Sequence, residues 1–232
     1  KRPNNQKNIP RDSVAFQGGK VSVEIAKYSG FCFGVARAVK LLEKALDKGG
    51  KVYSVGEVIH NPVFNEEAKK RGLTVIDGSD LSLLDPASTV IIRSHGISKQ
   101  LEERIKETGA SIVDATCRDV KRIHGIIAEN SGEDVLTVMI GDKDHPEVKA
   151  ALSYCNGDHL VFKDLGEFTA NSKLDLISQY KNVIMVAQTT HKVSDYEKCK
   201  EILKKLYTNA KIFDTICSVT ENRQREVAEL SK

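Results

Sequence analysis

Three cysteines of this chain stand in nearly the same local frame, each closing a short apolar or β-branched run and opening a helical pattern. Cys32 ends Val23-Glu24-Ile25-Ala26-Lys27-Tyr28-Ser29-Gly30-Phe31 and leads into Val35-Ala36-Arg37-Ala38-Val39. Cys117 ends Ile112-Val113-Asp114-Ala115-Thr116 and leads into Val120-Lys121-Arg122-Ile123-His124. Cys217 ends Ile212-Phe213-Asp214-Thr215-Ile216 and leads into Glu221-Asn222-Arg223-Gln224-Arg225. A helix N-terminus carries partial positive charge and free N–H groups, so a cysteine there is expected to favour its thiolate. Three thiolates converging on one centre predict a metal site, and an open fourth position predicts a catalytic one. Core packing is the plain alternative, because buried Cys behaves as a small hydrophobe. Zinc with three Cys ligands is compatible with the pattern. Sulfurs spread over separate lobes also suit the larger cubane iron–sulfur cluster, whose unligated iron could take a substrate oxygen as a Lewis acid.

Polar side chains recur where strands are expected to end, which is where open α/β sheets bind ligands. They are His60 in Gly56-Glu57-Val58-Ile59-His60-Asn61-Pro62, His95 in Ser94-His95-Gly96, and the run Asp142-Lys143-Asp144-His145-Pro146-Glu147. Gln188-Thr189-Thr190-His191 stands at a fourth such place. Each has a plain reading beside a functional one. A loop His is commonly just solvated, yet His60 and His95 as imidazoliums could hold phosphate by charge-assisted hydrogen bonds. His145 and Glu147 could cap a helix, or form a proton-delivery pair whose carboxyl pKa is raised by burial. Thr189 and Thr190 could be ordinary β-branched strand ends, or hydroxyls that orient a ligand.

Short apolar runs alternate with helical patterns of ten or more residues, the mark of α/β architecture with parallel sheets. Strands are predicted over 21–27, 51–55, 73–76, 89–93, 111–114, 134–140, 159–162, 182–187 and 211–215. Helices are predicted over 34–48, 62–71, 98–108, 119–130, 146–154, 194–207 and 219–230. Gly72, Gly109, Gly132 and Gly157 follow helical stretches and suit C-terminal caps. Cutting before each cysteine's strand divides the chain into a tail or linker (1–20), α/β lobe one (21–110), α/β lobe two (111–210) and the start of a truncated lobe three (211–232).

The 232 residues, 40% hydrophobic and 29% charged, fit a soluble globular class. A net charge of +3 is too small to argue for nucleic acid. No apolar run reaches the roughly 20 residues of a membrane helix, and no signal peptide is visible, so neither a membrane nor a nucleic-acid partner is expected. Five cysteines, an odd number without a C-x-x-C pair, argue for reduced thiols and a cytoplasmic location rather than a disulfide scaffold. Cys155, in a polar loop, and Cys199, between lysines, are not expected to be ligands.

Seven segments then occur in one order: Gly30-Phe31-Cys32-Phe33-Gly34-Val35, Ile59-His60-Asn61-Pro62, Ser94-His95-Gly96, Asp114-Ala115-Thr116-Cys117, His145-Pro146-Glu147-Val148, Gln188-Thr189-Thr190 and Thr215-Ile216-Cys217. Together, over residues 21–230, they resemble the 4-hydroxy-3-methylbut-2-enyl diphosphate reductase (LytB/IspH) family. The resemblance implies three pseudo-symmetric, trefoil-like α/β lobes around a central 4Fe-4S cluster, here with the third lobe incomplete. It implies reductive dehydroxylation of an allylic alcohol diphosphate to isopentenyl and dimethylallyl diphosphates, the last step of the methylerythritol phosphate isoprenoid route. By position, Cys32, Cys117 and Cys217 would ligate the cluster and leave one iron open. His60 and His95 would hold the diphosphate. Glu147 would supply the proton, with His145 and Thr189 placing the substrate hydroxyl and relaying it. Thr190 and Thr220 would also face the substrate. No flavin or nicotinamide fingerprint is present, so electrons are expected from an external ferredoxin- or flavodoxin-type donor.

Two departures from the family pattern stand out. Arg118 and Asp119 follow the second cysteine, where the family usually has Pro and then an apolar residue. They could shift the cluster's potential, or point outward and do little. The family's Ser-Ser-Asn motif and later Ser, downstream of the third cysteine, are absent from the 232 residues. The non-Met start and unfinished third lobe lead us to expect a fragment of a longer product. The alternative reading is a truncated, non-catalytic iron–sulfur-binding module.

Overall fold

The computed structural model describes residues 25–231. Two four-stranded, all-parallel sheets dominate it. Sheet one holds β1 (Lys51–Val55), β2 (Leu73–Ile76), β3 (Ser88–Ile92) and β4 (Ser111–Asp114) in the order β2-β1-β3-β4. Sheet two holds β5 (Val135–Ile140), β6 (His159–Phe162), β7 (Asn182–Ala187) and β8 (Ala210–Ile212) in the order β6-β5-β7-β8. The second order is the first shifted by four strands, so the two sheets are structural repeats.

Helices α1 (Phe33–Lys48), α2 (Pro62–Lys70) and α3 (Lys99–Glu107) belong to the first repeat. The second contains α4 (Arg118–Asn130), α5 (Pro146–Leu152), α6 (Leu165–Thr169), α7 (Asn171–Ile177) and α8 (Val193–Leu206), and α9 (Ser218–Leu230) follows β8. The central strands carry the apolar runs Val90-Ile91-Ile92 and Val183-Ile184-Met185-Val186, buried throughout because helices cover both faces. Ala38 and Leu42 of α1 pack with Val52 and Ile91 on one face of sheet one, while Val55, Val90 and Ile105 fill the other. In sheet two, Ile123 and Ile127 of α4 pack with Met139 and Val186, while Val138, Met185 and Leu203 lie opposite. Each such buried Val, Leu, Ile or Met side chain contributes about 1.5–3 kcal/mol of transfer free energy.

Several expectations shift. The strand predicted over 21–27 falls partly outside the described residues, and 25–27 are not strand. The strand at 111–114 is the edge of sheet one rather than the start of lobe two, pairing Val90 with Ile112. Likewise the last strand closes sheet two, pairing Ile184 with Lys211, instead of opening a third sheet. Both cuts therefore fall one strand too early: each repeat begins at a cysteine-capped helix and ends on the strand leading to the next cysteine. Gly72 and Gly109 do end α2 and α3 at positive φ. Gly132 and Gly157 instead lie against each other, and a Cβ on Gly157 would strike the Gly132 carbonyl. Helices α6 and α7 were not expected. Among the described residues no helix is long and apolar enough to cross a membrane.

Candidate catalytic cavity

The order β2-β1-β3-β4 reverses between β1 and β3, and such a reversal opens a crevice at the strands' carboxyl ends. His60 follows β1 and His95 follows β3, on the two sides of that crevice. The same reversal lies between β5 and β7, where His145 and Glu147 follow one strand and Thr189 and Thr190 the other. Both crevices open into one cavity of about 310 Å³, lined by Cys32, Cys117, Cys217, His60, His95, Glu147, Thr189, Thr190 and Thr220. The expected residues thus come together, with His145 standing against the other two imidazoles.

Each of the three cysteines is the N-cap of a helix: Cys32 of α1, Cys117 of α4 and Cys217 of α9. Val35 N donates to Cys32 Sγ at 3.5 Å and Thr220 N to Cys217 Sγ at 3.4 Å. Thr220 Oγ1 is 3.1 Å from Cys217 Sγ. Cys117 departs from the expected thiolate, because burial pushes its thiol pKa up, outweighing the N–H groups of Asp119 and Val120. Gly34 makes room for the sulfurs: a Cβ there would lie 2.8 Å from Cys117 Sγ and 3.9 Å from Cys32 Sγ. The repeat extends to the backbone. Cys117 N donates to Ser94 O (2.9 Å) at the end of β3, and Cys217 N to Thr189 O (3.0 Å) at the end of β7.

Three arginines, unnoticed in the sequence, link these turns head to tail. Arg37 of α1 donates to Asp114 O (3.0 Å) and Thr116 O (3.3 Å), just before Cys117. Arg122 of α4 donates to Asp214 O, just before Cys217. Arg223 of α9 donates to Tyr28 O (2.9 Å) and to Gly30 O, just before Cys32, which closes the circle. Their signal was an Arg five or six residues past each cysteine. Glu226 adds to the last seam by accepting from Lys27 N (2.6 Å) and Tyr28 N (2.9 Å).

Glu147 is 2% exposed. Its Oε1 accepts from Thr189 N (2.6 Å) and its Oε2 from Thr189 Oγ1 (2.7 Å). Burial raises its pKa, the two Thr189 bonds oppose this, and the nearby Asp119 charge raises it further. The carboxyl therefore keeps its proton to higher pH than an ordinary Glu. Thr190 Oγ1 accepts from Gln188 Nε2 (3.0 Å), which leaves that hydroxyl's own proton for a ligand.

The rings of His60 and His95 are 4.6 Å apart, and those of His95 and His145 5.4 Å. Burial and the neighbouring His60, His145 and Arg93 hold His95 down to about 3, and burial lowers His145 too. Both are held toward the neutral form, so His95 departs from the imidazolium expected of it for phosphate. Ligating atoms of the three imidazoles lie within 4.8 Å of one another, a spacing that would also admit a metal ion. His145 argues against that. Its Nδ1 accepts the Glu147 N–H at 3.1 Å, so the neutral ring carries its proton on Nε2, a donor rather than a metal ligand. The buried Nδ1 of His95 and Nε of Arg93 have no hydrogen-bond partner. A cavity lined with donors, with the Arg93 guanidinium beside His95, fits an anion.

Arg118 and Asp119 separate. Arg118 points outward with its side chain 83% exposed, whereas Asp119 lines the cavity beside Cys117. Cys199 is a core residue whose thiol burial pushes up to about 12, and Cys155 Sγ bonds Thr137 Oγ1 and Gly157 O, both at 3.3 Å.

A family model described as LytB protein matches residues 23–232. The chain is 34% identical over 214 residues to a 4-hydroxy-3-methylbut-2-enyl diphosphate reductase of Thermoanaerobacter sp. (strain X514), covering 91% of this chain and 72% of the relative. It is 37% identical over 215 residues to the same-named protein of Aquifex aeolicus (strain VF5), covering 91% and 71%. A solved (E)-4-hydroxy-3-methyl-but-2-enyl diphosphate reductase, described as the terminal enzyme of the non-mevalonate pathway, superposes with a TM-score of 0.72 at 34% identity, covering 90% of this chain and 73% of that one.

Proposed function

The chain belongs to the LytB family, and from that premise we propose how its cavity carries out the family's reaction. The activity is reduction of 4-hydroxy-3-methylbut-2-enyl diphosphate, the terminal step of the non-mevalonate route to isopentenyl and dimethylallyl diphosphates. The family is an iron–sulfur one. Our assignment of a 4Fe-4S cluster to Cys32, Cys117 and Cys217, with one iron open, rests on three helix-capping thiols lining a single cavity. The bare Gly34 gap beside two of them supports it. When bound, the cluster would supply electrons and a Lewis-acid position for the substrate's oxygen.

The chain's own residues do the rest. His60, His95 and His145 take the diphosphate as hydrogen-bond donors, and a dianion beside them would draw protons onto the His95 and His145 rings. Substrate affinity accordingly weakens as pH rises. Glu147 holds the proton that leaves with the hydroxyl as water, and Thr189, bonded to it twice, passes it on. Thr190 and Thr220 hydrogen-bond the substrate from the cavity wall. The sum is two electrons and two protons taken up, one C–O bond broken, one C–H bond made and one water released.

The single observation carrying this reading is the shared cavity of the three thiols with the Glu147–Thr189 pair. Anaerobic reconstitution is expected to give about four irons per chain, and the loaded protein to form both products. Zinc in place of iron, or substrate left unconverted, would overturn it. Gly34→Ala brings a methyl group against Cys117 Sγ. Its hold on iron should weaken by about 10–100-fold, read as iron retained under chelator challenge; wild-type retention would show that the gap is unimportant.

We extend the reading to a threefold arrangement of lobes, supported by the closed arginine circle, with α9 opening the third lobe. Five free thiols support a reducing, cytoplasmic setting. A separate ferredoxin- or flavodoxin-type protein would bring the electrons.

A further inference from the structure

Cys32 and Cys117 line the cavity, but the residues that follow them do not. Phe33 is 46% exposed and the Arg118 side chain 83% exposed, and the Arg118 guanidinium stands 5.2 Å from the centre of the Phe33 ring. One peptide bond joins each to its cysteine. The pair therefore sits on the outer surface one residue from two of the three cysteines. Phe31, 53% exposed, carries the apolar surface to the cavity rim.

The surroundings are cationic. Arg37 and Lys40 follow Phe33 by four and seven residues on α1, which puts them on its helix face. Lys121 and Arg122 follow Arg118 by three and four on α4. Arg37 and Arg122 donate to backbone carbonyls, which leaves their charge uncompensated, and only Lys121 pairs closely with a carboxylate, Asp114. The carboxylate nearest Arg118, Asp119, is 3.9 Å away and turned to the cavity.

We propose that the Phe33–Arg118 patch is the port through which electrons enter, docking an acidic one-electron carrier protein. Exposed aromatic surface ringed by arginine is the composition of an interface core, and unpaired positive charge selects a negative partner and speeds encounter. Each docking oxidises one carrier by one electron and reduces the cluster by one. The substrate's two electrons therefore need two dockings, and no proton crosses this surface. The proposal rests on the iron–sulfur reading above.

The test is stopped-flow reduction of the cluster-loaded protein by a pre-reduced acidic [2Fe–2S] ferredoxin, followed as loss of visible cluster absorbance. The second-order rate should fall about tenfold between low and high salt, and Arg118→Glu should lower it about tenfold at low salt. Arg118→Lys, keeping the charge, should stay within about twofold of wild type. All three proteins should react at one rate with dithionite, a small reductant needing no docking. An unchanged ferredoxin rate in Arg118→Glu, or equal slowing with dithionite, would overturn the port. A parent protein without cluster absorbance would instead remove the reading beneath it.

Discussion

Glu147→Gln is expected to lower product formation by about 10²–10⁴-fold, the usual contribution of a general acid, while iron content and visible spectrum stay those of the parent. The amide matches the carboxyl in size. Its carbonyl can still accept from Thr189 N and its NH₂ can donate to Thr189 Oγ1, so the buried pair keeps two bonds. What it loses is a proton to give. Burial raises the Glu147 pKa above the ordinary Glu value, so the parent's turnover should decline as pH rises through that raised value, and the decline should vanish from the residual rate of the variant. The same shift bears on stability. A carboxyl whose folded pKa is raised contributes stability below its unfolded pKa, and that contribution is lost as pH rises through the folded value. Retained turnover in the variant would reject Glu147 as the acid.

Cys217→Ser should abolish stable cluster loading, with iron per chain and visible absorbance collapsing together and turnover with them. A serine hydroxyl cannot become an oxyanion at neutral pH as a thiol becomes a thiolate, so one corner of the proposed ligand set disappears. The loss should exceed the roughly 10–100-fold typical of removing an outer partner of a metal ligand. Cys155→Ser is the control: its sulfur bonds Thr137 and Gly157 away from the cavity, so iron content should not change. Equal iron in Cys217→Ser and parent would exclude this sulfur as a ligand.

Sequence periodicity placed seven helices and seven strands to within a residue or two, because each carries its own apolar face, and ran β8 three residues too long. Helices α6 and α7 escaped notice: at 5 and 7 residues they are too short to show a helical period. Lobe boundaries were misplaced for a different reason. Whether 111–114 joins the strands before or after it depends on which sheet edge is open, and no local pattern records that. Order and spacing of motifs brought the cavity residues into view, since a strand end followed by a polar turn is a local feature. The arginines stayed hidden because their acceptors are backbone carbonyls of distant turns, so nothing in the partner's side chain announces the bond. The charge states of His95 and Cys117 were likewise beyond reach, since both depend on how deeply the folded chain buries them.

The arginine linkage has a mechanical meaning. Each seam is latched by the helix that starts the unit before it, so no unit holds its own latch and none is the last to be fastened. Slack at any seam shifts the sulfur next to it relative to the other two. The spacing of the three sulfurs is thereby governed by side chains of which two, Arg37 and Arg122, stand outside the cavity wall. Natural variation in these seams would tune the reaction from a distance.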